Sequence, residues 1–265
     1  MKVIGEGVLK KMQSRLEIPV SYKVPLGDST FGLNQLINTE ILVEHTGKIF
    51  CVECGRKTNK SFNQGYCYPC FQKLQDFFVC LIHPEKCRCD EGDCLQDHIV
   101  YLANSSGLKI GITRATQVPT RWIDQGATQA LPIMRVRSRY QSGAVEVLFK
   151  QHVADKTNWR SMLKGVAAPL NMKSEAESLI KKCNSEIEEL KESFGIFGVS
   201  ILTGVEPVNI TYPINEYPQK IFSYNLDKEP LIQDKLLGIK GQYLILENGV
   251  INLRKFSGYE VRLSS

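Results

Sequence analysis

No apolar run in this chain is long enough to cross a bilayer. The longest, around Phe194 to Val205, is interrupted by Gly195, Gly198 and Thr203, well short of the roughly twenty residues a spanning helix needs. The chain also lacks a charged start followed by an apolar core and a small-residue cleavage site. Met1 to Leu16 reads instead as a short amphipathic piece, so the expectation is a soluble, cytoplasmic protein. Neither sign of charge dominates, and the formal net charge of +5 is too small to name a partner by itself. Cysteine is scarce outside one segment: eight of the nine fall between Cys51 and Cys94, and Cys183 is the exception. Disulfides suit small secreted domains, so with no signal pattern read at Met1 to Leu16 a metal site is expected ahead of disulfides. At 265 residues, 43% hydrophobic and 23% charged, it has the composition of an ordinary globular protein with one large domain or two modest ones.

The cysteines themselves carry the strongest signal. Cys51-x2-Cys54, twelve residues and then Cys67-x2-Cys70 form two knuckles, a spacing that converges four thiolates on one ion at tetrahedral angles and selects zinc first. A second group, Cys80, His83, Cys87, Cys89, Cys94 and His98, offers more ligands than one tetrahedral site uses. Cys80, Cys87, Cys94 and His98 are the preferred set, because they wrap a loop around one ion and tie its end to the strand that starts at His98. The alternatives are a set containing His83 or Cys89, or reduced cysteines with no metal.

Basic charge concentrates in the middle. Residues 109–160 hold nine Lys/Arg against three acids, a balance of +6 that leaves −1 for the rest of the chain. A polyanion such as nucleic acid would feel this segment most.

Strand-like runs cover Val20 to Val24 and Glu40 to Glu44, and His98 to Ala103 with Leu108 to Arg114 form an expected hairpin about Asn104-Ser105-Ser106-Gly107. Pro119 sits in the first turn of a short helix carrying Arg121 and Trp122, which a glycine stops at Gly126. A strand over Leu131 to Tyr140 would show Arg135, Arg137 and Arg139 on one face, with helices following over Gly143 to Ala154, Asn158 to Leu163 and Ser174 to Glu192. On the last of these Cys183 falls on the apolar stripe, facing packing rather than metal. A second hairpin is expected at Gln242 to Leu246 and Val250 to Arg254. The terminal β segments echo each other, as two halves of one barrel-like module would.

His98-Ile-Val-Tyr101-Leu, a short turn, Lys109-Ile-Gly111-Ile-Thr, Arg121 in the next helix and Glu146 in a later one resemble the GIY-YIG nuclease superfamily, in the branch whose second motif reads Lys-Ile-Gly. The likeness covers about residues 98–160. The chain as a whole, with its HIVYLANSSGLKIGITR and PTRWIDQGA stretches, also resembles a bacterial family of unknown function. The superfamily resemblance implies a ββαβα core and phosphodiester cleavage with one divalent cation, Mg or Mn, held at Glu146. It implies roles for Tyr101 beside water and phosphate, Gly111 in letting backbone approach, Arg121 on the phosphate charge, and Asn158 as the later asparagine. The departure is Lys109, which stands where most members have a second tyrosine.

Read without the family, Lys109 is a phosphate contact or a desolvated general base, and Arg121 is a bidentate phosphate fork. The bland uses are a half-buried aromatic for Tyr101, ion pairs for Arg121 and Glu146, and core anchoring for Trp122 and Trp159. Arg114, Arg135, Arg137, Arg139 and Arg160 are the candidate nucleic-acid contacts. The expected class is α+β: a β-rich segment at 1–50, a zinc-ribbon-like module at 51–97, a GIY-YIG-like domain at 98–170, a linking helix at 171–195 and a β-rich segment at 196–265. Three functions follow: a zinc protein that binds and cuts nucleic acid, one that binds without cutting, and a protein-interaction scaffold.

Overall fold

The computed structural model describes residues 1–76, 83–89, 92–195 and 198–265. The chain divides into two compact units, the first made of residues 1–74, 163–165 and 211–265, the second of residues 75–162 and 166–210.

The first unit begins with β1 (Val3–Val8), β2 (Gln13–Arg15), β3 (Ser21–Leu26), β4 (Ser29–Gly32), the long β5 (Glu40–Phe50), β6 (Lys57–Thr58) and helix α1 (Tyr68–Asp76). Alternation sets these strands: Tyr22, Val24 and Leu26 are buried along β3, and Ile41 and Val43 along β5, as a period of two requires of a sheet with one covered face. The second unit supplies β7 (His98–Asn104), β8 (Leu108–Arg114), α2 (Thr120–Asp124), β9 (Gln129–Val136), α3 (Arg139–Lys150), α4 (Trp159–Lys164), α5 (Met172–Lys182), α6 (Asn184–Phe194), β10 (Val199–Ile201) and β11 (Val208–Asn209). The chain then returns to the first unit with β12 (Leu231–Lys240), β13 (Tyr243–Leu246), β14 (Val250–Asn252) and β15 (Tyr259–Ser264).

In the first unit the two ends of the chain share one antiparallel sheet of order β1-β15-β5-β12-β13-β14, with β6 also on β5, beside a smaller β2-β3-β4 sheet. The terminal segments therefore do join. The sheet ends in β1 and β14 and stays open, so the barrel expected from the sequence does not form. Strand β12 leaves β5 for β13 at an irregularity between Leu236 and Gly238. Asp234, buried on β12, fastens the β13/β14 hairpin by accepting from Asn248 N at 3.0 Å and from the Tyr224 hydroxyl at 3.1 Å.

The second unit is built on an antiparallel sheet of order β10-β9-β7-β8, with β11 also on β9. Its core gathers Val100, Leu102 and Ile110 from the hairpin with Val145, Leu148 and Phe149 of α3, Ala176 and Leu179 of α5, and Cys183 and Ile187. Three expected boundaries move. The strand through the arginines stops at Val136 because Ser138 caps a helix, its hydroxyl accepting from Gln141 N at 3.2 Å, so Arg139 opens α3 instead of ending a strand. The helix expected to run to Ala154 ends at Lys150. The single helix expected over Ser174 to Glu192 is two, α5 and α6, with Cys183 at the joint at φ −107° and ψ 19°. Cys183 is buried in packing, as its stripe indicates.

Candidate metal centres and phosphate site

Strand β5 delivers Cys51 at its end, and a tight turn follows in which Gly55 N donates to Cys51 O at 2.9 Å. Cys67 enters from the turn before α1, and its N–H donates to Cys51 Sγ at 3.2 Å. All four sulfurs of Cys51, Cys54, Cys67 and Cys70 lie within 4.8 Å of one another. Cys54 and Cys67 stand 3.8 Å apart, Sγ to Sγ, which matches the spacing of about 3.8 Å for two sulfurs each about 2.3 Å from a tetrahedral ion. Burial works to raise the Cys51 thiol, but backbone N–H groups of Cys54, Cys67 and Glu53 outweigh it and bring it down to about 6. Hydrogen bonding to Cys67, aided by burial and by the other sulfurs, pushes Cys70 up to about 12. Four crowded thiols divide their protons in this way without a cation; a soft cation takes all four as thiolates. The residues fit zinc.

The second unit brings Cys87, Cys89 and Cys94 together, again with sulfurs within 4.8 Å of one another. This differs from the preferred sequence set. Cys89 belongs to the group and His98 does not: His98 is buried, its Nδ1 bonded to Gln96 O at 2.7 Å and its Nε2 without a partner. Cys80 lies outside the described residues, and His83 is exposed with its Nδ1 on Glu85 at 3.0 Å. The cysteine loop is docked on α3. A methyl group on Gly143 would stand 2.2 Å from Glu85 N and 2.4 Å from Pro84 C, so only glycine admits this approach.

The hairpin face carries the third group. Tyr101 on β7 pairs with Gly111 on β8, and the phenol lies fully buried, donating to Gln125 Oε1 at 3.0 Å. Burial raises its pKa, while the Arg121 guanidinium, charged and hydrogen-bonded to it, pulls the other way. Lys109 is only 4% exposed; burial, then the neighbouring Arg121, lowers its ammonium to about 8, with Asp155 and Glu146 opposing. Burial raises Glu146, against the pull of Lys150. Lys150 Nζ sits 3.4 Å from Glu146 Oε2 and 3.3 Å from Asp155 Oδ2. Thus Tyr101, Lys109, Arg121 and Glu146 share one electrostatic neighbourhood, although Tyr101 does not face solvent. Asn158 is elsewhere in role: exposed, it caps α4, its Oδ1 accepting from Ser161 N at 3.1 Å. Trp122 is buried against Tyr101 at 5.9 Å.

Gln125, Lys150 and Asp155 were not singled out by sequence. Asp155 follows Ala154, whose carbonyl accepts from Ile110 N at 2.8 Å and which bridges to Lys109. No spacing rule signals that tertiary contact.

The candidate arginines are largely engaged. Asp97 receives Arg135 Nε at 2.8 Å and Arg137 at 3.3 Å, and Arg114 pairs with Asp93. The Arg160 guanidinium lies 4.4 Å from the Trp159 ring centroid.

These features define a mixed α/β protein with several open sheets and, among the described residues, two cysteine clusters, of four and three residues, that could hold zinc. Among the described residues no helix is long and apolar enough to cross a membrane. The chain belongs to the family described as Protein of unknown function (DUF2797), which matches residues 38–261. No curated protein and no solved structure matches it.

Proposed function

We propose that this is a zinc-containing nucleic-acid-binding protein whose second unit is GIY-YIG-like and seats a backbone phosphate between Lys109 and Arg121. The observation that carries this reading is Lys109: a nearly buried ammonium whose charge is disfavoured by burial and by the Arg121 guanidinium, with Asp155 and Glu146 offsetting only part of that. Two adjacent cations repel, and an anion between them relieves both the repulsion and the desolvation. The strand order β8-β7-β9 with α2 and α3 following their strands agrees with the ββαβα order that the resemblance implies. Zinc in the cysteine quartet serves structure, since four thiolates leave no open position for chemistry.

A second reading, divalent-metal-dependent cleavage, is favoured by the coupling of Tyr101, Arg121 and Glu146. It is weakened by the burial of the Tyr101 hydroxyl and by lysine in place of the second tyrosine. Anisotropy with labelled single-stranded DNA, duplex DNA and RNA, repeated with Lys109→Met and Arg121→Ala, tests the first reading. Product formation with magnesium or manganese that disappears in Glu146→Ala and Arg121→Ala would favour the second.

A further inference from the structure

Lys150 occupies an unusual place. Its ammonium spans two carboxylates from different segments, Glu146 one turn earlier on α3 and Asp155 from the loop beyond it, at 3.4 and 3.3 Å. The loop is not free to swing away, because the Ala154 carbonyl is bonded to the β8 backbone at 2.8 Å. Glu146 is only 13% exposed at its side chain, so its charge needs a cation close by. Burial alone would lower Lys150, yet the two carboxylates hold it above the ordinary lysine value.

A divalent cation at Glu146 would want these same oxygens. Magnesium asks for an octahedral oxygen shell and gives up water reluctantly. Here it would have to displace an ammonium already shared by both carboxylates, close to the charges of Lys109 and Arg121. Four cations, Lys109, Arg121, Arg139 and Lys150, against three carboxylates, Glu85, Glu146 and Asp155, leave the group at +1, which suits a phosphate monoanion better than a dication. Glu146 and its surroundings therefore do not fit Mg or Mn as the resemblance implied.

We infer that this site takes its phosphodiester without a divalent cation, the Lys150 ammonium filling the cation position between Glu146 and Asp155. The inference rests on the phosphate-site reading, yet its test needs no nucleic acid. Manganese alone is titrated into zinc-loaded protein and bound Mn2+ is counted by electron paramagnetic resonance. The wild type should bind no more Mn2+ than Glu146→Gln, whereas Lys150→Met should gain one ion per chain and lose it again when Glu146→Gln is added. A wild-type Mn2+ ion that vanishes in Glu146→Gln overturns the inference, and this arm does not depend on Lys150→Met folding. A folded Lys150→Met that gains no ion overturns it equally. Failure of oligonucleotide binding would leave these counts unchanged and would fall on the proposed function instead.

Discussion

Gly111 faces Tyr101 across the β7/β8 hairpin so closely that a methyl group on its Cα would stand 2.7 Å from both Cζ and Oη of the phenol. The glycine is thus the floor on which the tyrosine ring lies, and the ring in turn is held at its hydroxyl by Gln125. Gly111→Ala should cost about 1–3 kcal/mol, as overpacking of a closed core does, measured by urea unfolding. A neutral result would show that the ring moves freely, which its burial and its contact with Trp122 argue against.

Gly143→Ala offers a test by sign. In the interior of a helix this change ordinarily stabilises by up to about 1 kcal/mol. Here the new Cβ meets the backbone of Pro84 and Glu85, so we expect a loss of about 1–3 kcal/mol and weaker metal retention at Cys87, Cys89 and Cys94. Zinc per chain, measured alongside thermal unfolding, checks both parts.

Much of this was readable in advance, for physical reasons that differ by element. The quartet was legible because chelation is local: two knuckles bring their own ligands. The hairpins at Asn104–Gly107 and Glu247–Gly249 were legible because turn chemistry is written in adjacent residues. The break at Cys183 was not, since the apolar stripe of α5 continues in phase into α6 and periodicity hides the joint. Alternation of Arg135, Arg137 and Arg139 continued past the true strand end because Ser138 starts a helix where side-chain pattern alone cannot tell. Asp97, which gathers two of those arginines, was invisible because the contacts span about forty residues, and Asp155, which shares Lys150, because its loop is fixed by the distant contact of Ala154 with Ile110.

That capture of arginines by Asp97 has a consequence for binding. Burial works to raise this carboxyl, but Arg135 and Arg137 outweigh it and hold it low. Asp97→Asn removes one negative charge and releases two guanidinium groups, so oligonucleotide affinity should tighten severalfold at low salt, with a steeper salt dependence. Unchanged affinity would place the nucleic acid away from β9.

The Lys109 ammonium, lowered to about 8, predicts opposite trends with pH. Its folded value lies below that of the unfolded chain, so between about 8 and the ordinary lysine value of about 10.4 the unfolded state binds more protons and stability rises with pH. Phosphate binding runs the other way, weakening as the free protein is titrated up through about 8. In Lys109→Met the fall in binding should flatten and the rise in stability should become shallower, the remainder coming from Lys240, which burial also lowers to about 8; anisotropy and denaturant unfolding across pH 7 to 10 read the two.

Cys70→Ser should remove one zinc per chain and loosen the Cys51–Cys70 segment, since structural zinc sites carry about 10–16 kcal/mol of binding free energy in small peptides. Metal analysis with thermal unfolding reads the effect. An undiminished zinc count would mean that the quartet is not the metal site.

The central claim is tested most directly by oligonucleotide affinity across a salt series, for wild type, Lys109→Met and Arg121→Ala. The account predicts that log K falls linearly with log salt for the wild type, and that each variant binds more weakly with a shallower slope. Binding that ignores salt, or three coincident lines, would contradict it.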